Sequence, residues 1–437
     1  MSAGEGLDVQ KRSAPPRSQP LGAPLTGVRV LDLTRVLAGP FATMILGDLG
    51  AEVIKVEQPA HGDGVRGIGP FYPGGLSHYF LAINRNKKSI AVDLKAPAGR
   101  ALILDLVEHC DVVIENFRPG VMDRLGLGFD ELVQRRRDLI MCSISGFGRS
   151  GPMAEKPSFD LVSQALSGVM SVTGEATGPP TKMGLPMGDL GGGLWGCIAV
   201  LAALHRRGRG ERPQYVDLSL LEGLVGMLGY LGQLALLTGE TPQRVGSSHL
   251  NIVPYGMFEV KDGHLVLALH VGSFWRGFCR AIDREDLMDD ERFRTSAARS
   301  EHRSELLPIV EKILKQKTRA EWQEVLDAAD VPHAPLLDVV EALQQEQVVQ
   351  REVLQKVTHP TEGEVDVVGS VVRFVGEERS PLAPPPLLGE HGREICRSIL
   401  GWDDGAIGRL VESGVLRVTA ANDGRLEDQE EEVGADV

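Results

Sequence analysis

The chain has 437 residues, 42% of them apolar, which is enough for more than one packed core and suggests two domains. A net charge of −14 argues against nucleic acid as the main ligand, although seven acids against Arg425 alone between Ala421 and Val437 carry −6 of it. Aromatic residues are scarce, at 5%, whereas there are 52 glycines, so close backbone approach should count for more than ring stacking.

Residues 1–24 are polar and Pro-rich. They lack the apolar centre of a signal peptide, and their acids are foreign to a transit peptide. A flexible N-terminus is expected, on a cytoplasmic protein (mitochondrial matrix in a eukaryote). From Leu25 onward GVRVLDLT has strand length, RVLAGPFATMILGDLG is a helix opened by Gly39-Pro40, and AEVIKVE is the next strand. The same texture returns in SIAVDLK (strand), PAGRALILDLVEHC (helix), DVVIEN and DLIMCSIS (strands). Strands alternating with helices predict an α/β fold with a largely parallel, buried sheet. GGGLWGCIAVLAALHRRGRG then reads as a buried helix with a basic end, QYVDLSL as a strand, and Leu220 to Leu237 as one long apolar helix. Its uncharged run, Gly223 to Gly239, sits at the lower edge of membrane-span length, so a core helix and no membrane are expected.

Beyond that helix the texture changes. GMFEVKDGHLVLALH is a hairpin around Lys261-Asp262-Gly263, and Phe274 to Ala329 is mostly amphipathic helix. Leu336 to Leu354 is helical, GEVDVVGSVVRF is of β type, and a last helical stretch covers Arg393 to Ser413. This divides the chain into residues 25–222 (large domain), 223–245 (linker helix), 246–335 (smaller α+β domain), 336–420 (a return segment) and 421–437 (an acidic, disordered tail). The five cysteines show no ligand spacing, and no metal is expected.

In an open parallel sheet, ligands bind beyond the carboxyl ends of the strands. The segments that follow these strands are Arg35 to Pro40, Gln58, Lys95, Asn116 to Gly120 and Gly146 to Arg149. Guanidinium groups, amides and small residues thus gather on one edge, which suits a ligand carrying phosphates. Pro119 fits a first helical position, Arg124 follows within reach, and helix amides attract phosphate. Arginine near a helix end also forms plain solvated ion pairs. A dinucleotide site would use Glu57 on a ribose, but RVLAGP has one glycine where three are required.

Asp189 stands in GLPMGDLGGGLWG. Such an aspartate can simply cap the following helix. The same geometry would also present a carboxylate, kept ionised by helix amides, where glycines let a substrate come close. No histidine is paired with an acid; His249, in RVGSSHLNIVPYG, differs only in its place on a loop between the domains.

Together these segments resemble the class III coenzyme A-transferases, the formyl-CoA transferase family that also holds the α-methylacyl-CoA racemases. The carriers are LTGVRVLDLTRVLAGPFATMILGDLGAEVIKVE, NRNKKSIAVDLK, VVIENFRPGVMDRLGLG, SISGFGRSGP, PMGDLGGGLWG and PPPLLGEHG, spread from Leu25 to Val415. The resemblance implies a Rossmann-like large domain completed by the C-terminal segment, an inserted smaller domain, and two copies interlocked as a homodimer. It implies acyl-CoA and carboxylic acid substrates, with no tightly bound cofactor. Asp189 would be the nucleophile. Leu37, Ala38, Gln58, Val92, Asp93, Leu94, Lys95, Asn116, Phe117, Arg118, Arg124, Ser145, Gly146, Phe147 and Gly148 would surround the CoA, and His249 and Asn251 would meet the acid. Racemases place a histidine where Phe159 precedes Asp160, so transfer is favoured over proton movement at the α-carbon. Leu37, Phe147 and GSSHLN depart from the formyl-CoA transferase pattern, and the GSSHLN-to-PYG passage resembles instead the branch that uses succinyl-CoA and dicarboxylic acceptors, including the hydroxymethylglutarate type. Two alternatives stay open, a 2-methylacyl-CoA racemase and a CoA-binding protein without catalysis.

On this reading Asp189 attacks the donor thioester to give an acyl-aspartyl anhydride, and CoA returns through an aspartyl-CoA thioester. Amides at Gly191 to Gly193 would stabilise the oxyanion. Burial opposes the helix amides, because it favours the protonated acid.

Overall fold

The computed structural model describes residues 23–210 and 214–419. The expected flexible N-terminus (apart from its last two residues) and the acidic tail lie outside the described residues.

Six strands run parallel in the large domain: β1 (Arg29–Asp32), β2 (Glu52–Glu57), β3 (Lys87–Val92), β4 (Val112–Glu115), β5 (Ile140–Ser145) and β6 (Gln214–Ser219). The β-branched, apolar runs of β2 to β5 are buried on both faces, as parallel strands between helix layers must be, while β6 at the sheet edge is only half-buried. Alternate residues serve opposite layers. Leu31, Ile54, Val113 and Met141 pack on one face, and Val30, Val53, Val112 and Ile140 on the other.

Ten helices belong to this part of the chain: α1 (Ala38–Asp48), α2 (His78–Ile83), α3 (Pro97–Val107), α4 (Val121–Arg124), α5 (Phe129–Arg135), α6 (Asp160–Leu166), α7 (Val169–Val172), α8 (Met187–Arg207), α9 (Leu220–Met227) and α10 (Gly229–Thr238). The first face is covered by α3 and α5 with the C-terminal helix Gly392–Ser398, the second by α1 and α8. By length and apolarity α8 could cross a membrane, but it packs against α1, β5 and α9.

A three-stranded antiparallel sheet, β7 (Tyr255–Val260), β8 (Gly263–Ala268) and β9 (His333–Pro335), has its own core around Trp275, Phe278 and Trp322. The hairpin of β10 (Leu354–His359) and β11 (Gly363–Val368) then returns to the large domain, where Val357, Val365 and Val367 pack on Val65, Leu76 and Phe80. Finally β12 (Leu416–Arg417) pairs antiparallel with β3, giving the sheet order β12-β3-β2-β1-β4-β5-β6. The parallel part is doubly wound, and its order reverses between β1 and β4, where such sheets open a crevice.

Four local expectations need correcting. Leu336 to Leu354 holds two short helices, Val339–Gln344 and Glu346–Gln350, and Leu354 already belongs to β10. The helix from Leu220 to Leu237 is two helices at 78°, broken where Gly229 takes a φ of +53°. Helix α4 begins at Val121, with Gly120 (φ +81°) as its N-cap, so Pro119 precedes the helix instead of opening it. Arg393 to Ser413 likewise divides, into Gly392–Ser398 and Asp404–Glu412, around Gly401 at φ +68°.

Candidate active site

At the switch point lies a cavity of about 610 Å³. Its walls are the strand-end segments: Leu37 and Ala38 after β1, Gln58 after β2, Val92 to Lys95 after β3, Asn116 to Arg118 after β4, Arg124 on α4, and Ser145 and Gly146 after β5. Asp189 reaches the same cavity from the first turn of α8. Four of the expected residues do not line it. Phe147 is buried behind the wall, and Gly148 turns away at φ +78°, its N–H donating to Ser145 Oγ at 3.0 Å. His249 and Asn251 sit on a separate loop, where the His249 ring stacks on Tyr230 and Arg303 donates to the His249 carbonyl.

The loop after β1 is gripped from three sides. Asn116 spends both ends of its amide on Arg35, accepting from its N–H at 2.8 Å and donating to its carbonyl at 2.7 Å. Asp63 accepts from the Val36 N–H at 3.1 Å, and Lys55 Nζ donates to the Thr34 carbonyl at 2.9 Å. This grip holds Val36 at φ +66°, a left-handed conformation that a β-branched residue avoids at a cost of about 1–3 kcal/mol. Helix α1 then starts at Ala38 with no side-chain cap, facing the cavity. Gly39 is there for packing, since a Cβ would run into Thr34, so the loop lacks the glycine cradle of a dinucleotide site.

Below the loop lies a buried charge network. Lys87 bridges Asp32, Asn84 and the Pro40 carbonyl, Lys55 pairs with Asp63 at 2.9 Å, and Arg66 forks onto Glu57. Burial alone would raise Asp32, but Lys87, Lys55 and the hydroxyls of Thr34 and Thr43 outweigh it and hold the carboxyl at about 2. Glu57, expected above as a ribose acid in a dinucleotide enzyme, is consumed by Arg66 and Ser89. Similarly Glu115 is turned inward, accepting from the Phe117 N–H at 2.8 Å and from Ser143, and so fixes the loop after β4.

Across the cavity surface stand five cations, Arg35, Lys95, Arg118, Arg124 and Lys156. None of them is in ion-pair contact with a carboxylate among the described residues. The acids in the wall are Glu57, already paired, Asp93 and Asp189. Positive charge at uncapped loops, over apolar walls, suits an extended phosphate-bearing ligand.

Asp189 is not the N-cap of α8: Pro186 is, and Asp189 is the third helical residue. The capping carboxylate comes from α6, where Asp160 Oδ1 accepts the Gly188 N–H at 2.7 Å. Met187 and Leu190 donate to the Leu185 and Pro186 carbonyls, so the N–H of Asp189 itself has no acceptor among the described residues. Burial and the Asp160 charge push the Asp189 carboxyl up to about 7, overriding the helix end that should keep it ionised. The expectation of an almost wholly ionised nucleophile is thereby corrected. Tyr79 lies in the same field, its phenol raised to about 12 by burial and by Asp189, Asp63 and Asp160.

The glycines after Asp189 also differ from expectation. Gly191, Gly192 and Gly193 are inside α8, so their N–H groups serve its ladder and cannot receive an oxyanion. Their missing side chains are what matters. A Cβ on Gly191 would stand 2.7 Å from Met227 Cε, one on Gly193 2.7 Å from the Ala38 carbonyl, and one on Gly192 would overlap Leu220. Glycine costs about 1 kcal/mol per position in a helix, and here that cost permits the starts of α1, α8 and α9 to meet at the cavity.

Sequence reasoning passed over Val36, Asp63, Tyr79, Lys156, Ser158 and Gln164. Only Lys156 and Ser158 carried a readable signal, lying just before the Phe159-Asp160 pair.

Comparison with known proteins identifies the family. Residues 25–392 match the model of "CoA-transferase family III". The chain is 40% identical over 393 residues to succinyl-CoA:glutarate CoA-transferase of Mus musculus and 38% identical to that of Homo sapiens, each alignment covering 90% of both chains. Among solved structures it is similar to a CaiB/BaiF family protein from Brucella suis, with 35% identity and a TM-score of 0.77 over 86% of this chain and 99% of that one. A family match across nearly all of the described residues, with the strand-end loops and Asp189 in one cavity, settles the assignment: the chain belongs to CoA-transferase family III.

Proposed function

We propose that this enzyme moves CoA from succinyl-CoA to a dicarboxylic acid, with Asp189 as the nucleophile. The observation that carries the reading is Asp189 in the wall of a cavity that is also lined by cations outside any ion pair. The relatives named for succinyl-CoA and glutarate support the choice of substrates. The phosphates and pantetheine arm lie along the segments after β3 and β4, near Lys95, Arg118 and Arg124. Asn116 contributes by locking Arg35, its amide being already committed.

The ionised Asp189 Oδ attacks the thioester carbonyl. A C–O bond forms, the C–S bond breaks, and sulfur departs with its electron pair as a thiolate, which is tolerable because a thiol has a pKa of about 8.5. The thiolate then attacks the aspartyl carbonyl of the anhydride, releasing the donor acid and leaving an aspartyl-CoA thioester. The acceptor carboxylate displaces the thiolate to form a new anhydride, and the thiolate takes the acceptor acyl group, freeing Asp189. Proximity supplies the drive for so weak a nucleophile, worth about 7–11 kcal/mol when reacting atoms are held together. The free N–H of Asp189 replaces Gly191 to Gly193 as the candidate oxyanion donor.

Phe159 supports transfer over racemisation. It lines the cavity with Asp189, 59% exposed, and cannot accept a proton. The proposed working unit is an intertwined homodimer, which is supported by the exposure on the single chain of Leu194, Trp195 and Ile198 of α8, Tyr230, Leu236 and Leu237 of α10, and Val371, Val372 and Val375. The test is to incubate the protein with succinyl-CoA and a panel of dicarboxylates and follow new CoA esters by mass. Appearance of glutaryl-CoA or another dicarboxyl-CoA, lost in Asp189→Asn, is expected. Deuterium entering the α-position of a 2-methylacyl-CoA, with no new ester, would replace the reading by a racemase.

A further inference from the structure

Six residues before Asp189 the chain leaves a loop, and the arm from Met183 to Gly188 is held at both ends by α6. The Met183 N–H donates to Gln164 Oε1 at 2.8 Å, Gln164 Nε2 donates to Asp160 Oδ2 at 2.7 Å, and Asp160 Oδ1 accepts the Gly188 N–H at 2.7 Å. Gln164 is fully buried, so its amide cannot trade these partners for water. Because its oxygen faces an N–H, its nitrogen must face an acceptor, and Asp160 is that acceptor.

We propose that Asp160 is a positioning residue for transfer: with Gln164 it clamps the arm that presents Asp189, and it keeps a second negative charge beside the nucleophile that acylation removes. This rests on Asp189 being the nucleophile. Free Asp189 is an anion next to an anion. In the acyl anhydride and in the aspartyl-CoA thioester its charge has gone into a neutral C–O or C–S bond, and the repulsion has gone with it. Asp160 therefore destabilises the resting carboxylate relative to every covalent state, favouring attack by the less comfortable of the two anions.

The surroundings single out Asp160 for this part. α1, β5 and α9 press Phe41, Ile144, Leu220, Leu224 and Met227 against the start of α8, all uncharged. Glu222 is in the first turn of α9, and Tyr79 of α2 is near enough to feel the charges of Asp189, Asp63 and Asp160. The cations Arg35 and Lys156 line the same cavity. Asp160 is the charge that acts on Asp189 beside burial, and both push the carboxyl upward, to about 7.

The test is single-turnover acylation by succinyl-CoA, read as intact-protein mass, from pH 5.5 to 9 in wild type, Asp160→Asn and Gln164→Met. Removing the charge should lower the midpoint of the acid limb by about half to one pH unit, and cut the alkaline plateau rate by up to about tenfold, the factor one pKa unit represents. Gln164→Met loosens the arm but keeps the charge, so its rate should fall while its midpoint stays. If Asp160→Asn does not fold, Asp160→Ser, whose hydroxyl can still accept from Gly188, takes its place with the same expectation. A neutral variant with the wild-type midpoint, or a Gln164→Met midpoint that falls equally, overturns the proposal. Mapping the wild-type adduct distinguishes this from failure of the underlying reading, since an adduct on Asp189 with an unmoved midpoint removes only the role of Asp160.

Discussion

Replacing Asp189 by asparagine should stabilise the fold while abolishing transfer, and the gain should depend on pH. In the unfolded chain the carboxyl titrates at its ordinary value of 3.8, in the native chain at about 7. Between those values the native state holds more protons than the unfolded one, so stability falls as pH rises, and the whole penalty is present above pH 7. A shift of about three units corresponds to about 4 kcal/mol, and because Asp189 keeps some solvent contact roughly half of that is the reasonable figure. Spread over the unfolding entropy of a chain this size, about 2 kcal/mol is roughly 2 °C in Tm. Thermal unfolding of wild type and Asp189→Asn from pH 4 to 8.5 is the assay. The two curves should nearly coincide at pH 4, where both native side chains are neutral, part progressively as pH rises toward 7, and keep a constant separation above it. A constant difference at all pH values, or a less stable mutant at pH 8, would refute the claim that the native chain holds Asp189 in an unfavourable ionised state.

Other perturbations probe the supports of the site. Asn116→Ala removes both bonds that lock Arg35, so KM for the acyl-CoA should rise about tenfold, for about 1.4 kcal/mol, with a smaller change in kcat; steady-state kinetics decide it. Arg124→Ala should raise the same KM by about 10–100-fold and flatten its salt dependence, if the guanidinium meets phosphate, as a titration of rate against ionic strength would show. Gly193→Ala pushes a methyl against the Ala38 carbonyl, and should cost about 1–2 kcal/mol after the gain in helix propensity, measured by denaturant unfolding. Gly408→Ala, in the helix Asp404–Glu412 with open space at its Cβ, should instead gain about 0.4–1 kcal/mol.

The sheet and its ligand edge were legible because they depend on local pattern. Runs such as VIKVE and IMCSIS can only be strands buried on two faces, and the residues immediately after them must lie at the carboxyl edge. Asp189 was visible through its glycines, but the helix start was misplaced: a helix opening at Gly191 would leave the amides of Gly191 to Gly193 free, whereas α8 begins at Met187, takes those amides into its ladder and lets its neighbours use the missing side chains. What failed to show were effects set by partners distant in the chain. Val36 in the left-handed region is held by Asn116 and Asp63, 80 and 27 residues away, and no local signal marks a valine for that conformation. The protonation of Asp189 is governed first by burial and then by the Asp160 charge, neither of which is a property of the PMGDLGGG segment. The break at Gly229 was also hidden, since an apolar run with one glycine reads equally well as a continuous helix.

The central claim is that the acyl group passes through the side chain of Asp189. Mixing the enzyme with succinyl-CoA in the absence of acceptor, quenching in acid and digesting with protease puts that to a direct mass measurement. A hydroxylamine-labile adduct of one succinyl group or one CoA on the peptide containing Asp189 is the expected result. Turnover under the same conditions with no adduct, or an adduct confined to another residue, would contradict the account.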